Sequence, residues 1–212
     1  MVKNIFNERY GYRYCQALIM EDITQKFAHL YKVISTKNFL NKESLGGEIP
    51  FFISAYDATQ ELVVKDAIKQ LQNKLETTGV RVLEINLYDI VCEILETKGG
   101  IERMFQVEKM KTKSKFLSAM QSTLNIHLIL MPKIKEKIEQ SNAQVYFLSG
   151  IGLVFPYIRS HNILNNLQNI AKDAPTIAFF PGIYNGHSLN LFGLFKDDNY
   201  YRAFNIEKIL AK

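Results

Sequence analysis

The sequence is poor in cysteine and has no uncharged apolar run of 18 residues. The two cysteines, Cys15 and Cys92, are too few for a disulfide framework and fit a reducing cytosol. The missing apolar run argues against a transmembrane helix. The amino terminus also lacks the basic-then-apolar layout of a secretory signal. We therefore expect a cytoplasmic protein that makes no use of a membrane.

Metal-binding and phosphate-binding motifs are lacking as well. The four histidines, His29, His127, His161 and His187, are far apart and none stands in a metal-ligand spacing. A phosphate loop needs glycines for close backbone approach and a lysine for charge, and no such run follows a predicted strand. We therefore predict neither a metal nor a cofactor.

What is present is the composition of an ordinary folded domain. Hydrophobic residues make up 47% of the 212 residues and charged residues 22%, which excludes disorder as the default. Residues 1–19 are rich in aromatic and basic side chains without a period, and we predict a peripheral extension there. Residues 20–212 are predicted to form a single α/β domain.

Apolar runs and helical periods alternate along that domain. The predicted strands are residues 50–54, 80–85, 144–148 and 175–180, followed by strand-like tail runs at 189–192 and 200–206. Helical patterns begin near Met20 and fill the intervals, with residues 101–140 helical and Pro132 interrupting or restarting the helix. This order predicts a mostly parallel sheet with helices on both faces, a nucleotide-binding-like layout without a phosphate-binding loop, plus an N-terminal helical segment. We expect both tail runs to extend the sheet.

Ligands of such folds bind beyond the carboxyl ends of the strands. The loop after the first strand reads Ser54-Ala55-Tyr56-Asp57-Ala58-Thr59 and holds a carboxylate in place of glycine and lysine. Asp57 is interpreted as a helix cap that satisfies the N–H groups phosphate would otherwise meet. Asp89, near the next helix start, is better explained by stabilisation of the helix dipole than by catalysis.

Polar residues are densest after the third strand, from Phe155 to Asn166. Gly150-x-Gly152 lacks the third glycine of a dinucleotide fingerprint and is a weak cofactor signal. Ser160 is interpreted as a helix N-cap, and as a sequence neighbour of His161 it is a poor nucleophile–base partner. Structural hydrogen bonding ranks first for this segment, a partner or anion site second and catalysis third. The candidate partner-binding residues are Arg159, His161, Asn162, Asn166, Tyr200, Tyr201 and Arg202.

Positive charge is concentrated in one part of the chain. Residues 97–137 carry nine basic and three acidic side chains, a local charge of +6, whereas the rest of the chain sums to −1. The preferred interpretation is a solvated helix face, and a phosphate backbone or an acidic partner is the alternative. The candidate nucleic-acid-binding residues are Lys109, Lys111, Lys113 and Lys115.

Several blocks together resemble one known family. They include Pro50-Phe51-Phe52-Ile53, Glu84 through Asp89, Gly150 through Asn166, Phe179 through Gly182 and Lys196 through Arg202. From about Met20 to the end, the chain resembles the BrxB family of bacteriophage-exclusion (BREX) systems, and residues 1–19 depart from the family pattern. The blocks at 155–167 and 196–202 are the most specific.

The resemblance implies a part in a multi-protein antiviral defence in which methylation, ATP hydrolysis and phosphatase-like chemistry belong to other subunits. It offers no catalytic residue to carry over, so we expect a non-enzymatic adaptor whose first partner is the alkaline-phosphatase-like PglZ subunit. A DNA-binding module using residues 97–137 and a homodimer stay open as alternatives. So does a cryptic nucleotide-binding or hydrolytic protein using Asp57, Asp89, His161 and Asp198.

Overall fold

A sheet covered by helices on both faces forms the centre of the molecule. The computed structural model describes residues 23–43, 50–197 and 203–211. The strands are β1 (Phe51–Tyr56), β2 (Val82–Asn86), β3 (Val145–Ser149), β4 (Thr176–Tyr184), β5 (Leu189–Leu191), β6 (Phe195–Asp197) and β7 (Phe204–Asn205). The helices are α1 (23–34), α2 (Lys37–Leu40), α3 (Glu61–Thr77), α4 (Leu87–Thr97), α5 (Ile101–Met110), α6 (Lys113–Thr123), α7 (Met131–Glu139) and α8 (Ser160–Ile170).

The strand order is β2-β3-β4-β1-β7, and every neighbouring pair on this path is parallel. This confirms the predicted mostly parallel α/β sheet. The two tail runs both join it, although in different ways. β7 adds a parallel edge beside β1, whereas β5 pairs antiparallel with the end of β4 and carries β6 on its other side.

The central strands are buried on both faces, because side chains alternate across a strand and both sets are apolar. In β1, Phe51 and Ile53 join one core, while Phe52 and Tyr56 join the other. β4 divides its apolar residues in the same way. Burial of one such side chain stabilises the fold by about 1.5–3 kcal/mol. Both faces therefore need a helical cover.

The two covers come from different parts of the chain. α1, α2 and α3 cover one face, where Val64, Ile68 and Leu75 pack on the strands. The helices between β2 and β4 cover the other face. This division leaves the edge at the carboxyl ends of the strands as the place where side chains from both layers meet solvent.

The connection from β2 to β3 is much longer than one crossover helix. It contains α4, α5, α6, a π-helical turn (Ile126–Leu130) and α7. Pro132 lies in the first turn of α7. Of the two predicted effects, interrupting or restarting the helix, the second is the one observed. α5 has no buried residue, and its Ile101, Met104 and Val107 are half-buried. The α5–α6 hairpin therefore lies at the periphery of its layer.

β4 runs further than the sequence predicts. The predicted strand ends at residue 180, but β4 continues through Pro181 and Gly182 to Tyr184 and pairs there with β5. Gly182 faces the β5 backbone so closely that an added β-carbon would lie 2.1 Å from the Asn190 carbonyl oxygen. A residue without a side chain thus permits the strand to leave the parallel sheet and enter a hairpin.

A buried lysine connects the first helix to the end of the chain. Lys26 of α1 lies 2.5 Å from a Glu207 carboxylate oxygen and donates a hydrogen bond to the Ala55 carbonyl. The Ser54 hydroxyl, on the same face of β1, donates to that carboxylate at 3.4 Å. The Lys26 side chain is only 11% exposed, so this contact ties α1, β1 and the 3-10 turn after β7 together.

No helix among the described residues is long and apolar enough to cross a membrane. The predicted extension at residues 1–19 lies outside the described residues, as do Asp198, Tyr200, Tyr201 and Arg202.

The β4–β5 contact predicts an unequal response of two glycines to the same substitution. Gly182→Ala should lower the free energy of unfolding by about 2 kcal/mol or more, because both nearest atoms belong to backbone that cannot rotate away. Gly186→Ala, with φ +96° and nothing within 4 Å of the added carbon, should cost only about 1 kcal/mol. Urea denaturation followed by circular dichroism measures both, and equal losses would contradict the proposed steric cause.

Candidate functional site

The loop after β1 is occupied by its own carboxylate. The Asp57 side chain accepts hydrogen bonds from the Thr59 backbone N–H at 2.8 Å and from the Thr59 hydroxyl at 2.6 Å. It caps a short 3-10 turn, Ala58–Gln60, and α3 begins only after that turn. The capping interpretation is confirmed, with the cap serving the turn in place of the α-helix itself.

These hydrogen bonds also fix the charge of the loop. The Thr59 hydroxyl and N–H stabilise the ionised form and lower the pKa of the Asp57 carboxyl below its ordinary value. The carboxylate is therefore negative at physiological pH. A phosphate placed at this loop would meet repulsion at the position where phosphate loops supply N–H groups.

The crevice beside this loop is closed by paired polar side chains. The Tyr56 hydroxyl donates to Glu61 at 2.6 Å, and the Ser149 hydroxyl donates to Glu84 at 2.5 Å. Burial, reinforced by the Glu61 carboxylate, raises the pKa of Tyr56, so the phenol stays protonated and keeps donating. The space left among these groups is about 20 Å³. That volume is of the order of one water molecule and not of a nucleotide.

The end of β2 likewise holds a helix cap. The Asn86 side-chain oxygen accepts from the backbone N–H groups of Tyr88 at 3.0 Å and Asp89 at 3.3 Å. Gly150 has φ +70°, and a β-carbon there would lie 2.7 Å from the same Asn86 oxygen. Gly150 therefore reflects close packing against the α4 cap. Gly152 reflects a different contact, because a β-carbon there would lie 2.9 Å from the side chains of Phe192 and Pro181.

The segment Phe155 to Asn166 divides between two surfaces. Tyr157 packs edge-on against Phe116 of α6, with ring centroids 6.0 Å apart, and Arg159 follows it at the N-cap position of α8. The prediction that Ser160 caps this helix is wrong by one residue, because Ser160 is already helical. Asn166 donates to the Asn162 carbonyl at 2.7 Å, so its amide supports the helix backbone.

A cavity of about 360 Å³ lies beside the start of α8. We call it the α6–α8 cavity. It is lined by Gln121, Leu124, Asn125, Ile126, His127, Tyr157, Arg159 and Asn162. It thus brings two predicted partner-binding residues, Arg159 and Asn162, next to the end of α6. His161 and Asn166 do not line it.

An apolar surface lies on the other side of Phe155. The Phe155 ring packs on Phe195 and Phe192, with centroid distances of 4.8 and 5.8 Å. Four large apolar side chains of this region are exposed: Leu153 (47%), Ile183 (59%), Leu194 (78%) and Phe195 (49%). These four residues with Phe155 and Phe192 are called the hairpin surface. Exposed apolar side chains that cluster in this way are typical of binding surfaces.

Sequence reasoning missed most of the hairpin surface. Of its six residues, only Phe155 lies in the segment singled out from the sequence. The run Phe192-Gly193-Leu194-Phe195, with three large apolar residues in four, was the available signal. Composition alone does not show whether such a run is buried or exposed. The predicted contacts Tyr200, Tyr201 and Arg202 follow this run but lie outside the described residues.

The predicted basic face separates into paired and unpaired parts. Lys133 and Lys137 of α7 contact Glu93 at 3.0 and 2.9 Å, which lowers the pKa of that carboxyl. The candidate nucleic-acid-binding lysines surround the turn between α5 and α6, are exposed, and have no ion pair among the described residues: Lys109, Lys111, Lys113 and Lys115.

Comparison with known proteins gives a consistent result. The family described as BREX protein BrxB matches residues 83–206. A BREX protein BrxB of Bacillus cereus (strain H3081.97) is 36% identical over 191 residues, covering 88% of this chain and 98% of the relative. A BREX protein BrxB of Escherichia coli O9:H4 (strain HS) is 28% identical over 181 residues, covering 85% and 90%. No solved structure matches the chain.

The cap at the β1 loop predicts a pH-dependent stability. Asp57→Ala should cost about 1 kcal/mol at neutral pH, the usual loss for an N-cap. Because the folded pKa is lowered, the stabilisation is present above the unfolded value of 3.8 and is lost as pH falls through the folded value. The difference from wild type, measured by urea denaturation, should therefore shrink at acidic pH.

Asp66→Ala is the matched control, since Asp66 is an exposed aspartate of α3 without a hydrogen bond among the described residues. It should change stability by no more than about 0.5 kcal/mol. A loss equal to that of Asp57→Ala would show that the cap is not the cause.

Proposed function

Because this chain belongs to the family of BREX protein BrxB, we propose that it is a non-enzymatic component of a bacterial BREX anti-phage defence system. Within that system it acts as an adaptor that docks on another subunit. The hairpin surface is the observation that carries this proposal.

The hairpin surface has the composition of a docking site. Aromatic residues are enriched at the centres of protein interfaces, and here three phenylalanine rings pack together, and Leu153, Ile183 and Leu194 of the same chain segments are exposed. Full burial of one large apolar side chain is worth about 1.5–3 kcal/mol. Four exposed side chains can therefore offset a substantial part of the entropy lost on association.

A protein subunit is the occupant that fits this surface. The family name associates the chain with BREX systems. A PglZ-type subunit is the first partner to test, because the sequence resemblance associates that large protein with the same systems. The polar side chain of His161, a few residues from Phe155 along the chain, would contribute to a hydrophilic margin. An apolar centre with a polar margin is the usual anatomy of an interface.

Two features favour the non-enzymatic part of the proposal. In related layouts, the crevice beside the β1 loop holds the ligand. Here that crevice has about 20 Å³ of space, and the carboxylates of Glu61 and Glu84 are hydrogen-bonded in its walls. Asp57 is engaged as a cap.

The adaptor proposal predicts a specific loss of partner binding. Leu194→Asp should abolish or strongly reduce co-purification with a PglZ-type subunit, because it places a charge in the centre of the apolar surface. Leu62→Asp is the matched control: Leu62 has the same 78% exposure but lies in the first turn of α3. Both variants should keep wild-type circular dichroism spectra, since neither side chain is buried.

Equal capture of wild type and Leu194→Asp would remove the hairpin surface as the docking site. Failure of the wild-type chain to bind any BREX subunit would remove the adaptor proposal itself. A homodimer that Leu194→Asp converts to a monomer, with no effect on partner capture, would reassign the surface to self-association. Light scattering distinguishes that outcome.

A second function, binding of nucleic acid, is favoured by the four lysines around the α5–α6 turn. They are exposed and have no ion pair among the described residues, while Lys133 and Lys137 are compensated by Glu93. Unpaired lysines on a peripheral hairpin can reach a phosphate backbone. Only Phe105 is an exposed aromatic side chain of that hairpin, which is too few for a base-stacking platform.

This second function predicts a salt-dependent shift of duplex DNA. Lys111→Glu with Lys113→Glu should weaken binding strongly at low salt, and the wild-type affinity should fall linearly with the logarithm of salt concentration, by about 0.9 per phosphate contacted. Lys65→Glu with Lys69→Glu, which changes the same charge on α3, should retain binding. A wild-type chain that does not shift duplex DNA at low salt would end this proposal.

A further inference from the structure

The α6–α8 cavity has a lining that suits an anion. Three side chains in its wall can donate hydrogen bonds without losing one already made among the described residues: the Arg159 guanidinium, the Asn162 amide and the His127 imidazole. Asn125 uses its side-chain oxygen to accept from the Leu128 N–H at 2.9 Å, which leaves its NH₂ group for a ligand. No carboxylate lines the cavity.

The two chain segments that form the cavity are free of acidic residues over long stretches. Residues 109–135 and residues 140–172 contain no aspartate or glutamate, although they carry seven lysines and Arg159. Acidic residues make up 21 of the 212 residues of the chain, so their absence from both walls produces a local positive potential. That potential attracts anions to a site where Arg159 has no protein carboxylate to pair with among the described residues.

The start of α8 also favours an anion in the cavity. Its N-cap residue is Arg159, whose side chain makes no cap hydrogen bond, and its first turn holds no acidic residue. The helix dipole at this end favours an anion beside the guanidinium. An arginine at the positive end of a helix suits a phosphate with several acceptor oxygens.

The size and shape of the cavity restrict the ligand. A volume of about 360 Å³ lies at the small end of the range for small-molecule sites. Duplex DNA is too wide to enter such a space, whereas a phosphate monoester with a small polar body fits. The side-chain amides of Gln121, Asn125 and Asn162 and the Tyr157 ring can contact that body.

We propose that the α6–α8 cavity is a binding site for a small phosphorylated molecule of about mononucleotide size, with Arg159 holding the phosphate. The site is separate from the closed crevice at Asp57, Glu61 and Glu84. It is also separate from the hairpin surface, so it goes beyond the adaptor function and does not depend on it.

Calorimetric titration of the full chain with inorganic pyrophosphate, AMP and ribose 5-phosphate tests this site, with adenosine as the ligand that lacks phosphate. At least one phosphorylated probe should bind, and adenosine should not. Arg159→Ala should weaken that binding about tenfold or more, the value expected for loss of a hydrogen bond to a charged group. The Arg159 side chain is exposed, so the variant should keep the wild-type fold.

Lys69→Ala is the matched control, because it removes one positive charge from an exposed position on α3. It should alter binding by less than about twofold, since exposed charges beyond about 10 Å are largely screened at 0.1 M salt. His127→Ala, on the opposite wall, should also weaken binding and gives a second test independent of α8.

Four outcomes would overturn the proposal. They are no heat with any phosphorylated probe, equal affinity of wild type and Arg159→Ala, equal affinity for adenosine and AMP, and binding of single-stranded or duplex DNA alone. The co-purification experiment with Leu194→Asp has a separate readout, so its failure would leave this test unaffected.

Discussion

The structure depends on one constraint: the parallel strands β1, β3 and β4 are apolar on both faces and must be covered on both. The alternation of Phe51 and Ile53 with Phe52 assigns α1–α3 to one face and α4–α8 to the other. With both faces of the sheet covered by helices, neither face is available for binding. The carboxyl edge is what is left, and both the α6–α8 cavity and the hairpin surface lie along it.

At that edge, hydrogen bonds decide which positions are used by the fold and which are available to ligands. Asp57, Asn86, Glu61 and Glu84 are all engaged by neighbouring donors, so the positions where related layouts hold phosphate serve the fold instead. Arg159 has no such engagement among the described residues. The positions that we propose for binding lie away from the β1 loop, in the segment that follows β3 and the hairpin that follows β4.

Local sequence signals were sufficient to predict the helices and strands. They were insufficient to predict which of these elements contact one another. The apolar run at Phe51 and the cap at Asn86 are local, so the strand and the helix start could be predicted from sequence. The antiparallel course of β5 depends on a close approach of Gly182 to Asn190, which are eight residues apart. The cavity needs Gln121 and Arg159 to meet across two helices, and no periodicity encodes that. The exposure of Leu194 and Phe195 is a property of the folded chain, and their apolar composition does not reveal it.

The overhang of β4 beyond its parallel neighbours has a consequence for how the protein must be produced. It leaves Leu194 and about half of Phe195 in contact with water, with the Phe195 ring packed on Phe155 and Phe192. Under the proposed adaptor function, a chain synthesised in excess of its partner would keep this apolar hairpin uncovered, and exposed apolar surface favours self-association. Balanced amounts of the two proteins would then protect solubility.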